Sequence, residues 1–394
     1  MHKLRRRLPA LALSLTALAG AAQAEAPCGG PFASFVEELR REAREAGLPE
    51  AAIKGFFTGV QQNPAVLRAD RAQGVFRKDF LAFSRAVISQ NRLTTGAAQA
   101  KKQADVLARA EAEYGVAPGI LLAFWALETD FGAVQGDINT RDALVTLAHD
   151  CRRPELFRPQ VLAAIALQAR GDFDTKTTGA WAGEIGQVQM LPADILRNGV
   201  DGDGNGHVRL KTSSADALMS GARMLASMGW RRGEPWLQEV TLPADLDWRL
   251  TGLEQQLSSD DWAARGVRAR SGTLTPGLPA ALLLPMGRKG PAFLAYPNFQ
   301  VLFEWNKSFV YVTTAAYFGT RLSGAPVLDP GTPEPGLTEA EMRLLQEKLA
   351  TRGHDVGKPD GILGAKTRGA VQREQERLNL PADAWPTRRL LDQL

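Results

Sequence analysis

The 394-residue chain is poor in cysteine, and its only clear excess of charge lies at the amino terminus. It also lacks an apolar stretch fit to cross a bilayer as a mature helix. The apolar run over 8–19 is too short for that. Lys3, Arg5, Arg6 and Arg7 precede it and Ala22-Gln23-Ala24 follows, so residues 1–24 read as a cleaved secretory signal and the mature chain as periplasmic. Cys28 is not preceded by a Leu-Ala-Gly type of lipidation signal, so no lipid anchor is expected. The leader holds four of the 47 basic residues and no acidic ones, leaving 43 basic against 43 acidic. That balance removes the basic excess a nucleic-acid partner would require. The two cysteines, Cys28 and Cys151, allow one bridge, which export would permit; two buried free thiols are the alternative. The chain-entropy model gives such a bridge about 4 to 5 kcal/mol.

What is present is an ordinary globular composition, long enough for two or three domains with a substantial core. Apolar residues recur at three- and four-residue spacing over 32–46, 75–89, 101–114, 118–129, 159–170 and 214–228, which predicts a helical bundle. The segments 281–284, 292–296, 300–305 and 309–313 are short, rich in β-branched or aromatic residues and punctuated by Pro and Gly, and predict a small sheet. The fold class is α+β, mostly α. Residues 326–336 are rich in Pro and Gly, cannot continue a helix, and mark a boundary between a domain over 25–325 and one over 337–394.

The catalytic candidate is Glu128, at the end of the apolar helix opened by Pro118. Ile120, Leu121, Leu122, Ala123, Phe124, Trp125 and Leu127 leave no polar stripe, so this helix should be buried on most sides. Desolvation and the negative end of the helix dipole both favour a protonated carboxyl, as a general acid needs. A solvent-facing helix end is the plainer account of a lone Glu. Two later segments tip the balance: the Gly-rich loop Gly183-Glu184-Ile185-Gly186-Gln187-Val188-Gln189-Met190, and Asn298-Phe299 through Trp305-Asn306, which sets an amide beside an aromatic ring.

In these motifs the chain resembles the lytic murein transglycosylases of the membrane-bound type B family. The family's Glu-Thr-x-x-Gly falls on Glu128, Thr129 and Gly132, and its Gly-x-x-Gln loop on Gly186, Gln189, Met190, Leu191 and Pro192. Asn298, Phe299, Val301, Trp305, Asn306 and Ser308, with Tyr311, match a third motif; Arg152 and Arg153 match a paired arginine. After the linker, Leu344-Leu345-Gln346, Asp360-Gly361-Ile362-Leu363-Gly364 and Thr367 resemble a three-helix peptidoglycan-binding module, although Glu374 stands where that module usually has a core Phe.

The resemblance implies a lysozyme-like fold acting on peptidoglycan glycan strands and their stem peptides, with no required cofactor. It implies cleavage between N-acetylmuramic acid and N-acetylglucosamine, Glu128 serving as acid and then as base while the substrate's acetamido group assists. Ring closure on the muramyl 6-hydroxyl then leaves a 1,6-anhydro end. Gln189, Asn306, Tyr311 and Trp305 would hold sugar near the acid, and Arg152 and Arg153 would meet stem-peptide carboxylates. Met190 stands where a Phe is common, and Ala180 and Met224 also depart from the family, predicting a less aromatic sugar platform; filling an irregular gap in the core is an equally simple account of Met190. Two rivals remain: a Glu128/Glu184 two-carboxylate hydrolase, and a non-catalytic wall-binding scaffold. Asp201, Asp203 and Asn205 resemble the start of a calcium loop. Thr212 at the twelfth position lacks the carboxylate such a loop needs, so calcium is a doubtful ligand.

Overall fold

A computed structural model describes residues 27–72 and 78–394. The expected signal, residues 1–24, lies outside the described residues, as does part of the helix expected over 75–89; its described portion is Phe80–Val87, opened by Asp79, whose carboxylate accepts from Ala82 N. The observed class is α+β and mostly α. Among the described residues no helix is long and apolar enough to cross a membrane.

The centre of the molecule is the helix Pro118–Thr129, buried along nearly its whole length. It lies against the helix Phe309–Leu322, and glycine makes the contact close: a Cβ on Gly119 would sit 2.6 Å from Gly319 O. The pair runs antiparallel, with Gly119 beside Gly319 at one end and Glu128 beside Tyr311 at the other. The core around them takes in Phe124, Trp125, Phe299, Val312 and Phe318. A second core joins Phe32–Glu45, Glu50–Phe57, Thr140–His149 and Pro154–Ala169. The helix expected over 159–170 starts five residues earlier, because Pro154 suits a first turn; Pro159 lies inside the helix, where its missing amide gives up one intrahelical bond.

The sheet has five antiparallel strands in the spatial order Gln256–Ser258, Pro279–Leu283, Ala292–Ala295, Leu237–Thr241 and Arg268–Ala269. Ala295 faces Leu237 on one side and Ala281 on the other. Two expected strands are corrected: 300–305 belongs to the helix Pro297–Trp305 and 309–313 to Phe309–Leu322. Their aromatic and β-branched residues are buried on helices whose starts are set by Pro297 and by Ser308, which accepts from Tyr311 N. Tertiary burial overrides strand propensity here.

Cys28 and Cys151 are joined in a disulfide, and Gly29 N donates to His149 O beside it. The bridge ties the described amino terminus to the segment that carries Arg152 and Arg153.

Residues 326–336 form no helix or strand, yet they are fastened at several points. Val327 O accepts from Arg270, Asp329 N donates to Glu239, Thr332 N donates to Lys289 O, and Leu328 is buried. Beyond them, Glu339–Thr351, Ala365–Arg377 and Arg388–Gln393 close around Met342, Leu345, Leu349, Val371 and Leu390. The buried amide of Gln346 donates to Thr367 Oγ1 and Ile362 O and accepts from Gly361 N, which accounts for the Asp-Gly and Thr residues of this segment. Glu374 replaces an aromatic residue without leaving a bare charge, since His354 lies 2.7 Å and Arg377 2.8 Å from its carboxylate.

Candidate active site

The helix Pro118–Thr129 ends abruptly. Thr129 is its last residue, as the spacing predicts, and Asp130, Phe131 and Gly132 all take positive φ, so the chain reverses at once. Two consecutive non-glycine residues in that region are costly, and Arg92 helps hold the first by pairing with Asp130 at 3.0 Å. A Cβ on Gly132 would come within 2.8 Å of Gln187 Oε1, so the glycine-rich loop seats directly on this turn.

Gln187 is the residue that sequence reading missed. Its Oε1 accepts from Trp125 Nε1 and Ser214 Oγ, both at 3.0 Å, and its backbone oxygen accepts from Thr129 Oγ1 at 2.6 Å. It thus ties the loop to the helix end beside Glu128. Its pairing with Gln189 in a Gln-x-Gln sequence was the available signal. Gln189 has φ 51°, and its amide folds back to donate to Gly186 O at 2.7 Å.

Two donors meet on one oxygen of Glu128. Tyr311 Oη lies 2.5 Å and Trp305 Nε1 3.1 Å from Oε1. Among the described residues no donor is paired with Oε2. Trp305 is held flat on Phe124, with centroids 4.4 Å apart. Burial raises the carboxyl to about 7, outweighing the two hydrogen bonds that favour its charged form, and Glu184 pushes the same way as burial. Burial likewise holds the Tyr311 phenol well above its ordinary value, so it stays a donor.

Glu184 shares this neighbourhood. Its carboxyl is also raised by burial, against backbone donors and the positive charge of Arg153, and its Oε2 is buried without a hydrogen-bond partner. Two-carboxylate chemistry needs environments that push the pair apart, one acid and one ionised. Here both are pushed up.

The other predicted residues fall in three places. Asn306 ends the helix Pro297–Trp305, and its Oδ1 accepts from Ser308 N at 2.8 Å, so it shapes the turn between Trp305 and Tyr311. Arg152 and Arg153 both grip the buried Asp70, Arg152 at 2.5 Å, which leaves one uncompensated positive charge on a partly exposed surface. Met190, expected on the sugar platform, is corrected: it is 2% exposed and packs in the second core with Ile185 and Val188. Methionine there fills a gap in the core. Met224 belongs to the same core.

Around the doubtful calcium loop, the carboxylates of Asp201 and Asp203 converge with that of Asp216, which the helix Ser214–Ser227 supplies in place of Asn205. Asn205 Oδ1 instead accepts from His207 N. Asp201 accepts from Gly204, Asn205 and Gly206, and Asp216 from Gly202, Asp203 and Arg209. Backbone amides thus brace the loop around the three converging carboxylates.

Residues 31–320 match the family model described as a transglycosylase SLT domain, and 338–394 one described as a putative peptidoglycan binding domain. The membrane-bound lytic murein transglycosylase B of Escherichia coli (strain K12) is 27% identical over 251 residues, 63% of this chain and 68% of the relative. Among solved structures, SltB3 from Pseudomonas aeruginosa, in complex with NAG-anhNAM-pentapeptide, superposes with a TM-score of 0.84 at 35% identity, covering 93% of this chain and 99% of that one. Soluble lytic transglycosylase SltB1 from the same organism gives 0.63 at 28% identity, covering 75% and 99%.

Proposed function

The chain belongs to the transglycosylase SLT domain family, and from that premise we propose how its site cuts peptidoglycan. It is a lytic transglycosylase with a lysozyme-like catalytic domain and a carboxy-terminal wall-binding module. The observation that carries the mechanism is the asymmetry of Glu128: Tyr311 and Trp305 occupy Oε1, and the proton of a carboxyl raised to about 7 is left for Oε2 to deliver.

Oε2 gives that proton to the oxygen linking N-acetylmuramic acid to N-acetylglucosamine as the C1–O bond breaks. The acetamido group of the muramyl residue supports the cationic carbon. Glu128 is then a carboxylate, and the donors on Oε1, with the amino-terminal end of the Phe309–Leu322 helix, stabilise its charge. It removes the proton of the 6-hydroxyl, whose oxygen closes on C1. No water is consumed, and Glu128 ends as it began, protonated.

Trp305, Gln189 and Asn306 are the groups we propose to meet sugar, and the positive charge left by Arg152, Arg153 and Asp70 suits a stem-peptide carboxylate. The raised carboxyl of Glu184 speaks against the two-carboxylate rival. We infer that residues 1–24 export the protein to the periplasm. The Cys28 thiol, spent on Cys151, is not available for a lipid anchor. No cofactor enters this scheme. Digestion of purified sacculi by the native protein and by Glu128→Gln, followed by mass spectrometry, tests it. Anhydro ends, lighter by one water, should come from the native protein only; reducing ends would overturn the mechanism, and binding without release would favour the scaffold reading.

A further inference from the structure

The module's helix Ala365–Arg377 sends Arg368 deep into the catalytic domain. The Arg368 guanidinium lies 4.4 Å from the centroid of the Phe309 ring and 5.9 Å from that of Trp385. It is 8% exposed, and its terminal nitrogens donate to Pro285 O at 2.7 Å and Leu284 O at 3.4 Å. Its Nε is buried with no partner, and burial pulls the guanidinium down to about 9. A buried cation with an idle donor is an expensive fastener, since apolar residues would dock two domains as well. What a flat, forked cation adds is orientation.

Phe309 is the first residue of the Phe309–Leu322 helix. One residue before it Ser308 caps Tyr311 N, and two residues after it Tyr311 reaches Glu128. We propose that Arg368 is a positioning residue for the reaction: by clamping Phe309 it holds the first turn of this helix, and with it the Tyr311 hydroxyl, against Glu128. The wall-binding module then completes the active site as well as holding substrate. This rests on Glu128 being the acid.

The charged and titratable groups around Glu128 are Tyr311, Glu184 with Arg153 beside it, and Arg92 with its partner Asp130. Loosening Tyr311 removes a hydrogen bond that favours the charged carboxyl, so the Glu128 titration should move upward. Full-length native protein, Arg368→Gln and Gln372→Ala are compared on a soluble four-sugar NAG–NAM oligomer, with total scission as the rate. The Glu128 carboxyl is followed separately by NMR. Gln372 docks the module on Trp248 O and Thr251 O and is not in the Phe309 clamp. Arg368→Gln should lower kcat about 10- to 100-fold with KM within about twofold, and raise both the alkaline limb and the NMR titration. Gln372→Ala should leave these readings within about twofold. Unchanged kcat, or a loss in Arg368→Gln without movement of the titration, would overturn the proposal. If Arg368→Gln does not fold, Arg368→Lys carries the test, because it keeps the charge and loses the flat stack. Scission that yields only reducing ends would refute the mechanism above and leave this test intact.

Discussion

Exchanging Glu128 for Gln should stabilise the protein, and increasingly so as the pH rises. Burial holds this carboxyl at about 7 against an ordinary 4.5, so between those values the folded chain keeps a proton that the unfolded chain has released. The stability contributed by the protonated form is complete below about pH 4.5 and is lost as the pH climbs through 7. At about 1.4 kcal/mol per pH unit the loss approaches roughly 3 kcal/mol by pH 8. The residue keeps a partly open edge, so solvent screening brings this to about 2 kcal/mol. Glutamine can still accept from Tyr311 and Trp305 and never ionises, so it escapes the loss. Other titrating groups act in both proteins and largely cancel in the difference. Urea unfolding of both proteins from pH 4.5 to 8 is the assay, with the stability gap expected to widen by about 2 kcal/mol. A gap that stays flat with pH would refute the account of Glu128 as a desolvated acid.

Tyr311→Phe removes a hydrogen bond to the charged carboxylate while keeping the ring. The alkaline limb of kcat/KM should move up and kcat should fall about tenfold or more, read from pH–rate profiles. Cys28→Ser opens a bridge between residues 123 apart in sequence. The chain-entropy model puts the loss at about 4 to 5 kcal/mol, and denaturant unfolding of oxidised native protein against the variant measures it. Millimolar calcium should leave the melting temperature unchanged within about 1 °C, because Thr212 stands where a tight calcium loop needs a bidentate carboxylate; a rise of several degrees would show that the loop holds the ion.

The acid helix was readable because burial on nearly all sides leaves an unbroken apolar run, and a carboxylate closing such a run stands where desolvation must act on it. The segment around Trp305 and Tyr311 reads as strand from its residues and folds as helix. Residues such as Val301, Phe303, Val310 and Val312 favour strands locally, and packing in the main core, on helices started by Pro297 and Ser308, makes helices of them. The edge strands Gln256–Ser258 and Arg268–Ala269 carry too few residues to show alternation. Gln187 and Asp216 escaped notice because their importance lies in partners distant along the chain. At Met190 the motif suggests sugar contact and the side chain's shape suggests core filling, and the fold takes the second.

The Pro/Gly segment 326–336 is seamed to Arg270, Glu239 and Lys289, with Trp385 of the module donating to Glu334 O. It therefore works as a rigid strut. A module on a free tether would let each anchoring event serve many cuts within a wide radius. A module on a strut makes the molecule a pair of calipers, in which the spacing between grip and blade is a property of the fold. The pattern of cuts along a strand would then be written by that spacing, and each new cut would require the grip to be released first.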